Sequence, residues 1–156
     1  MRQVKGLFIV LEGPDGSGKS TMAKMIAQYL EDKGHHIIFT REPGGTRISE
    51  KIRDIILDNE NSEMADTTEA LLYAASRAQH VAEKIKPLLE NGKTIICERF
   101  VYSSLVYQGI GRNLGIKNVK MINDFGIQGM NPDIVLFFDI DPEKALTRKI
   151  KINGGD

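Results

Sequence analysis

Residues 12–20, "EGPDGSGKS", hold the ingredients of a polyphosphate cradle. In the pattern Gly13-x-x-x-x-Gly18-Lys19-Ser20 the glycines permit tight turns and bare main-chain amides. Lys19 reaches terminal phosphates, and Ser20 offers a hydroxyl to magnesium. An apolar run, "GLFIVLEG", precedes the loop and a helical pattern follows it, so the helix N-terminus adds positive potential. The phosphate-binding set is therefore Gly13, Pro14, Asp15, Gly16, Ser17, Gly18, Lys19, Ser20 and Thr21. Asp15 is the odd member, because a carboxylate repels what the cradle collects. As residue types alone, Asp15-Gly16 is also an ordinary turn pair.

Such loops serve GTPases, ATPases and kinases alike. No NKxD guanine motif occurs, and the one DxxG is the loop's own Asp15–Gly18, which weakens a GTPase reading. Other residues could carry an acceptor site. Tyr73 and Arg77 are four apart on a helical pattern and share a face displaced from its apolar stripe. Glu98 and Arg99 close an apolar run, where an acid can hold magnesium through water and an arginine can meet phosphoryl groups. Ser103, Ser104, Tyr107 and Gln108 have spacing that could present one helical face, or could simply begin a helix. Glu42-Pro43 reads equally as a turn, and Arg53 by itself as a solvated cation.

The elements that must position these groups follow from periodicity. Four short apolar runs, "GLFIVLEG", "HHIIFTRE", "KTIICER" and "PDIVLFFDI", suit strands covered on both faces. A first helix opens at Lys19-Ser20 with Met22, Met25, Ile26, Tyr29 and Leu30 as its core stripe, ending near Gly34. A second covers Arg47 to Leu57 with Ile48, Ile52, Ile55 and Ile56 inward. A third opens with Asp66 and Glu69 at capping-box spacing and runs toward Pro87, with a core stripe of Leu71, Ala74, Ala75, Ala78, Val81, Ala82, Ile85 and Leu89. A fourth spans Lys117 to Ile127, and a fifth starts at Pro142. Alternating strands and helices predict an α/β, doubly wound, mainly parallel sheet whose ligands sit at the strands' carboxyl ends, where "EGPDGSGKS", "TREPGGT", "CERF" and "FDIDP" fall.

"TREPGGT" (40–46), "LLYAASRAQH" (71–80) and "CERFVYSSLVYQG" (97–109), in this order after the phosphate loop, closely resemble the thymidylate kinase family of the bacterial kind. The resemblance implies a P-loop kinase fold with strand order 2-3-1-4-5 and transfer of the γ-phosphoryl of ATP to dTMP. It implies that Tyr73 stacks on thymine, Arg77 bonds its edge, Ser104 and Gln108 read the pyrimidine, and Tyr107 crowds the sugar 2′ position. Glu42 and Pro43, with a cis bond as one option, go to the acceptor phosphate and metal, and Arg53 to that phosphate. Asp15 faces the deoxyribose 3′-hydroxyl, Arg99 the phosphoryl groups, and Arg148 the adenine; Ser20 and Glu98 take magnesium. Three positions depart from the family's habit: Tyr73 replaces a common phenylalanine, Glu98 a common aspartate, and Gly16 an arginine that some members carry. The resemblance also implies a homodimer, and a lid, further helices and a last strand beyond residue 156, so residues 1–156 are expected to be one kinase domain cut before the lid. Another nucleoside monophosphate kinase, or a nucleotide-binding module without turnover, are the competing readings.

Composition sets the outer bounds. With 156 residues, 41% hydrophobic, the chain is long enough for one domain with a sizeable core. The 21 basic and 21 acidic residues cancel, so no overall field favours nucleic acid or an anionic membrane, and any basic site must be local. One cysteine, Cys97, precludes an internal disulfide and reads as a small buried hydrophobe. His35, His36 and His80 lack zinc-site spacing and carry no assigned chemistry. No apolar run approaches a bilayer span and no leader pattern opens the chain, which predicts a soluble protein of the reducing cytoplasm. A glycine turn is expected at "INGGD".

Overall fold

The computed structural model describes residues 6–153; the expected glycine turn at Gly154-Gly155 lies outside them. Strands β1 (Phe8–Glu12), β2 (Ile37–Arg41), β3 (Thr94–Glu98) and β4 (Ile134–Phe137) form a parallel sheet in the order β2-β3-β1-β4. In register, Val10 lies opposite Cys97 and Val135. Between the strands run α1 (Lys19–Glu31), α2 (Arg47–Leu57) and α3 (Asp66–His80). A wider π-helical turn at Val81–Ile85 then leads into α4 (Lys86–Glu90). After β3 come α5 (Val101–Ser104), continuing as a π-helical stretch over Leu105–Gly111, then α6 (Ile116–Ile127). The last helix, α7 (Pro142–Asn153), follows β4.

Strand alternation sends side chains to two cores. Phe8, Val10, Ile95 and Cys97 meet Val81, Ile85, Leu89, Phe100 and Ile127 on one face, with the Phe8 and Phe100 rings edge to face at 5.1 Å. Ile9, Leu11, Ile37 and Ile96 meet Ala23 and Ala27 of α1 on the other. The expectation of strands covered on both faces holds for β1 and β3 and fails for β4, whose residues are all exposed. Among the described residues β4 pairs only with β1, which leaves its apolar side chains exposed.

Helix existence follows the sequence, but helix orientation departs from it. In α1 the sheet is met by Ala23, Ala27, Ile26 and Leu30, while Met22, Met25 and Tyr29 are exposed. In α2 the innermost residue is Ser49, whose hydroxyl donates to the Ser76 carbonyl at 2.9 Å; Ile48 and Ile55 are exposed. In α3, Leu71 and Ala75 face outward, as does Ala82 in the π-helical turn that follows, and Ser76, Arg77 and His80 are buried. Small or hydrogen-bonded side chains let backbones approach, and that gain outweighs the burial of larger apolar groups on the opposite side. The expected capping box is also absent. Helix α3 starts at Asp66 behind Ala65 with no side-chain cap, and Glu69 bonds elsewhere. Pro87 follows the π-helical turn in an unbroken helical backbone, so its missing N–H removes a helical bond where the wider turn ends.

Candidate active site

Each strand's carboxyl end delivers one part of the site. Beyond β1, the loop reaches α1 through Gly16 and Gly18 at φ 78° and 92°, the left-handed region that suits glycine. A Cβ on Gly16 would stand 2.3 Å from the Ala145 carbonyl oxygen of α7. The close backbone approach of α7 explains why no larger residue occupies this position. Lys19 is buried and donates to the carbonyls of Gly13 at 2.9 Å and Pro14 at 2.7 Å. Burial, then the positive charge of Arg99, pushes its pKa down, so an anion entering the loop would relieve both penalties. The Ser17 hydroxyl is buried there with no hydrogen-bond partner among the described residues.

Asp15 is clamped between cations from two elements. Arg99 donates to its Oδ1 at 2.6 Å and Lys149 of α7 to its Oδ2 at 2.9 Å. Hydrogen bonds from Lys149 and then Arg99 hold the carboxyl down at about 2. Arg99 follows β3 at φ 66° and also bonds Ser103 at 3.2 Å, its guanidinium 5.5 Å from the Tyr107 ring centroid. Glu12, which sequence reasoning passed over, fixes this turn: its Oε1 accepts from the amides of Phe100 and Ser103, and its Oε2 from the Ser103 hydroxyl at 2.6 Å. It ends an apolar strand just as Glu98 does, and that shared pattern was the available signal.

Beyond β2, the Glu42–Pro43 bond is cis. Both Glu42 oxygens are taken, by Arg77 Nε at 2.6 Å and His80 Nδ1 at 2.9 Å, in a pocket that also holds Cys97. His80, left without a role by its sequence context, links Glu42 to the Thr40 hydroxyl. Arg77 is fully buried. Besides Glu42 it donates to Ser104, Asn123 and the Phe100 carbonyl, and it lies over the Phe100 ring. Four of its five N–H groups are thereby used. The Pro43 carbonyl accepts from Arg41 and Arg53.

A single cleft of about 1000 Å³ is lined by every sequence-nominated residue except Gly13, Pro14 and Ser17. Glu42, Pro43, Arg53, Tyr73, Arg77, Ser103, Ser104, Tyr107 and Gln108 meet Asp15, Gly16, Gly18, Lys19, Ser20, Thr21, Glu98, Arg99 and Arg148 on its walls. Gly13 and Pro14 line an adjoining apolar cavity of about 540 Å³ instead. Arg41, Leu57, Lys149 and Lys151 also line the cleft and had no motif to announce them; the two lysines share α7 with Arg148. In a chain of zero net charge, eight basic side chains face this cleft against Asp15, Glu42 and Glu98. That local field suits a ligand carrying several negative charges. The Ser20 hydroxyl and the Glu98 carboxylate are the hard oxygen donors beside Lys19, and no described side chain hydrogen-bonds to that carboxylate, so the pair fits magnesium.

A sequence model of a family described as "Thymidylate kinase" matches residues 11–153. Thymidylate kinase of Finegoldia magna is 57% identical over 150 residues, covering 96% of this chain and 74% of the relative. That of Clostridium novyi is 54% identical, covering 96% and 73%. A crystal structure of thymidylate kinase from Ehrlichia chaffeensis superposes with a TM-score of 0.80 at 32% identity, covering 97% of this chain and 89% of that one.

Proposed function

Because this chain belongs to the thymidylate kinase family, we propose how its cleft carries out the family's reaction, transfer of the γ-phosphoryl of ATP to dTMP giving dTDP and ADP. The observation that carries the reading is the cleft itself, which joins the phosphate loop to Tyr73, Arg77 and Gln108 without a wall between them. In-line transfer requires donor and acceptor in one such space, with the oxygens neutralised more than a base supplied.

On this reading ATP phosphates take the loop amides, and Lys19 exchanges two carbonyl acceptors for the β and γ oxygens. Ser20 and Glu98 would hold Mg2+, which supplies neutralisation of phosphate charge when bound. Arg99 lies between the loop and the acceptor side and turns from Asp15 toward the phosphoryl group. Asp15 is then left with Lys149 and the acceptor's 3′-hydroxyl. Arg53 takes the acceptor phosphate, next to Glu42 and Pro43, while Tyr73 stacks on the base. Arg77, with its remaining N–H, Ser104 and Gln108 read the base edge, and Tyr107 with Ser103 close the sugar side. Arg148 meets the adenine.

A coupled ADP assay across dTMP, dUMP, CMP, GMP and AMP tests the acceptor. One methyl group separates dTMP from dUMP and is worth about 1–3 kcal/mol, so the preference over dUMP is modest, whereas purine monophosphates are strongly rejected. A higher rate with AMP or GMP would overturn the reading. Lys19→Ala removes most turnover; retention of the wild-type rate would remove the loop from the mechanism. Cytoplasmic location accords with the buried free thiol of Cys97, and among the described residues no helix is long and apolar enough to cross a membrane. The chain works as one kinase domain and pairs as a homodimer. Met121 and Phe125, 63% and 87% exposed, lie four apart on the outer face of α6 and supply an apolar contact.

A further inference from the structure

Gln108 is 4% exposed and forms part of the cleft wall, yet its amide is not free to turn. Its Nε2 donates to Glu69 Oε1 at 2.9 Å. Arg112 grips the same carboxylate from outside, Nε to Oε1 at 3.3 Å and one terminal nitrogen to Oε2 at 2.9 Å, while Asp66 lies 3.4 Å from Arg112. An ionised carboxylate only accepts hydrogen bonds, so it dictates which end of a glutamine amide faces it. Burial alone would raise the pKa of Glu69, but the bonds from Arg112 and Gln108 outweigh it and hold the group ionised. The NH2 end of Gln108 is thus assigned to Glu69, and Oε1 is left as an acceptor to which no described residue donates.

We infer that Glu69, clamped by Arg112, is a positioning residue that fixes the acceptor end of Gln108 toward the base and thereby selects thymine over cytosine. The inference rests on the reading that Gln108 meets the base edge. Thymine offers an N3–H donor beside the O4 acceptor, and cytosine reverses both, with a bare N3 and an N4 amino group. A fixed Oε1 welcomes N3–H and repels the N3 lone pair, while Arg77, on the same cleft wall and bonded to Ser104, keeps one N–H that suits O4 and not an amine. If Gln108 could flip, its NH2 would serve cytosine as well. The apparent capping role of Glu69 is thus exchanged for a role in selectivity, since its carboxylate crosses to the helical segment after β3.

The test is the ratio of dCMP to dTMP dissociation constants, measured by displacement calorimetry together with thermal unfolding. In Glu69→Gln the neutral amide can donate to or accept from Gln108, and the ratio falls about tenfold or more, the size of one misassigned buried hydrogen bond. The dUMP to dTMP ratio, set by the methyl group, stays put, which a general loosening of the pocket would not allow. A folded Glu69→Gln protein with an unchanged dCMP to dTMP ratio overturns the inference. Should that variant not fold, Arg112→Gln, at a residue whose side chain is 51% exposed, takes its place: a ratio lowered about threefold or more supports the inference, and an unchanged one ends it. Gln108→Ala separates the two failures. If it leaves the ratio intact, the base-reading role of Gln108 falls and the inference with it. If it collapses the ratio while Glu69→Gln does not, only the role of Glu69 is lost.

Discussion

Asp15 lies between Arg99 and Lys149, at 2.6 and 2.9 Å, and its titration has a readable sign. A carboxyl held at about 2, below the usual 3.8, contributes stability that is fully present above the higher value and is lost as pH falls toward the lower. The side chain is 54% exposed, so solvent screening keeps the contribution small. Asp15→Asn is expected to change unfolding free energy at pH 7 by no more than about 1 kcal/mol, and to flatten the acid limb of the stability curve only between about pH 4 and 2. Denaturant titrations at pH 7 and pH 3 check both statements. Arg77 behaves differently because it is only 3% exposed and little screened. Arg77→Ala leaves the Glu42 carboxylate buried beside His80 without its cation, and a loss of roughly 3–5 kcal/mol is expected from urea unfolding. Tyr107→Phe keeps dTMP turnover if the ring's bulk is what matters, since the ring, its centroid 5.5 Å from the Arg99 guanidinium, is retained. A large fall in kcat would assign the role to the hydroxyl.

Among the elements, α3 and α6 pack closely enough that a Cβ on Gly126 would stand 3.3 Å from both the Ala74 carbonyl and the Ala78 methyl. Gly126→Leu must push the helices apart, and a cost of about 1–3 kcal/mol is expected in thermal or denaturant unfolding. Because Asn123 on the same helix accepts from Arg77, the same variant also weakens dTMP binding, which calorimetry can register. The strands and four helices were legible, α2 spanning the anticipated residues and α6 starting one residue early. The single long third helix, by contrast, divides at the π-helical turn 81–85, and residue types do not decide the helical segment 101–111. Which face turns inward was not legible. Met22 and Ile48 look like core residues by hydropathy, but Ala27 and Ser49 occupy the contacts because small side chains let the helix approach its neighbour. A periodic pattern reports how often apolar residues recur, not which of two half-apolar faces meets a partner.

At the level of the whole molecule, the apolar outer face of α6 and the proposed pairing are tested together. Phe125→Glu is expected to halve the mass in sedimentation equilibrium while leaving the fold's thermal transition in place, since Phe125 touches neither core. The phosphate loop, the parallel order of alternating elements and the placing of Glu42 and Glu98-Arg99 at strand ends were readable from residue order alone. Those follow from local chemistry: glycine spacing, period-two and period-3.6 patterns, and residue types that hold phosphate. The folded arrangement alone shows that Asp15 is clamped by Lys149, that Glu12 ties the turn after β3, and that Glu69 leaves a helix cap for Gln108. These partners stand 134, 91 and 39 residues apart. A carboxylate's partner over such separations is set by how strands and helices converge, and no residue's own spacing carries that information.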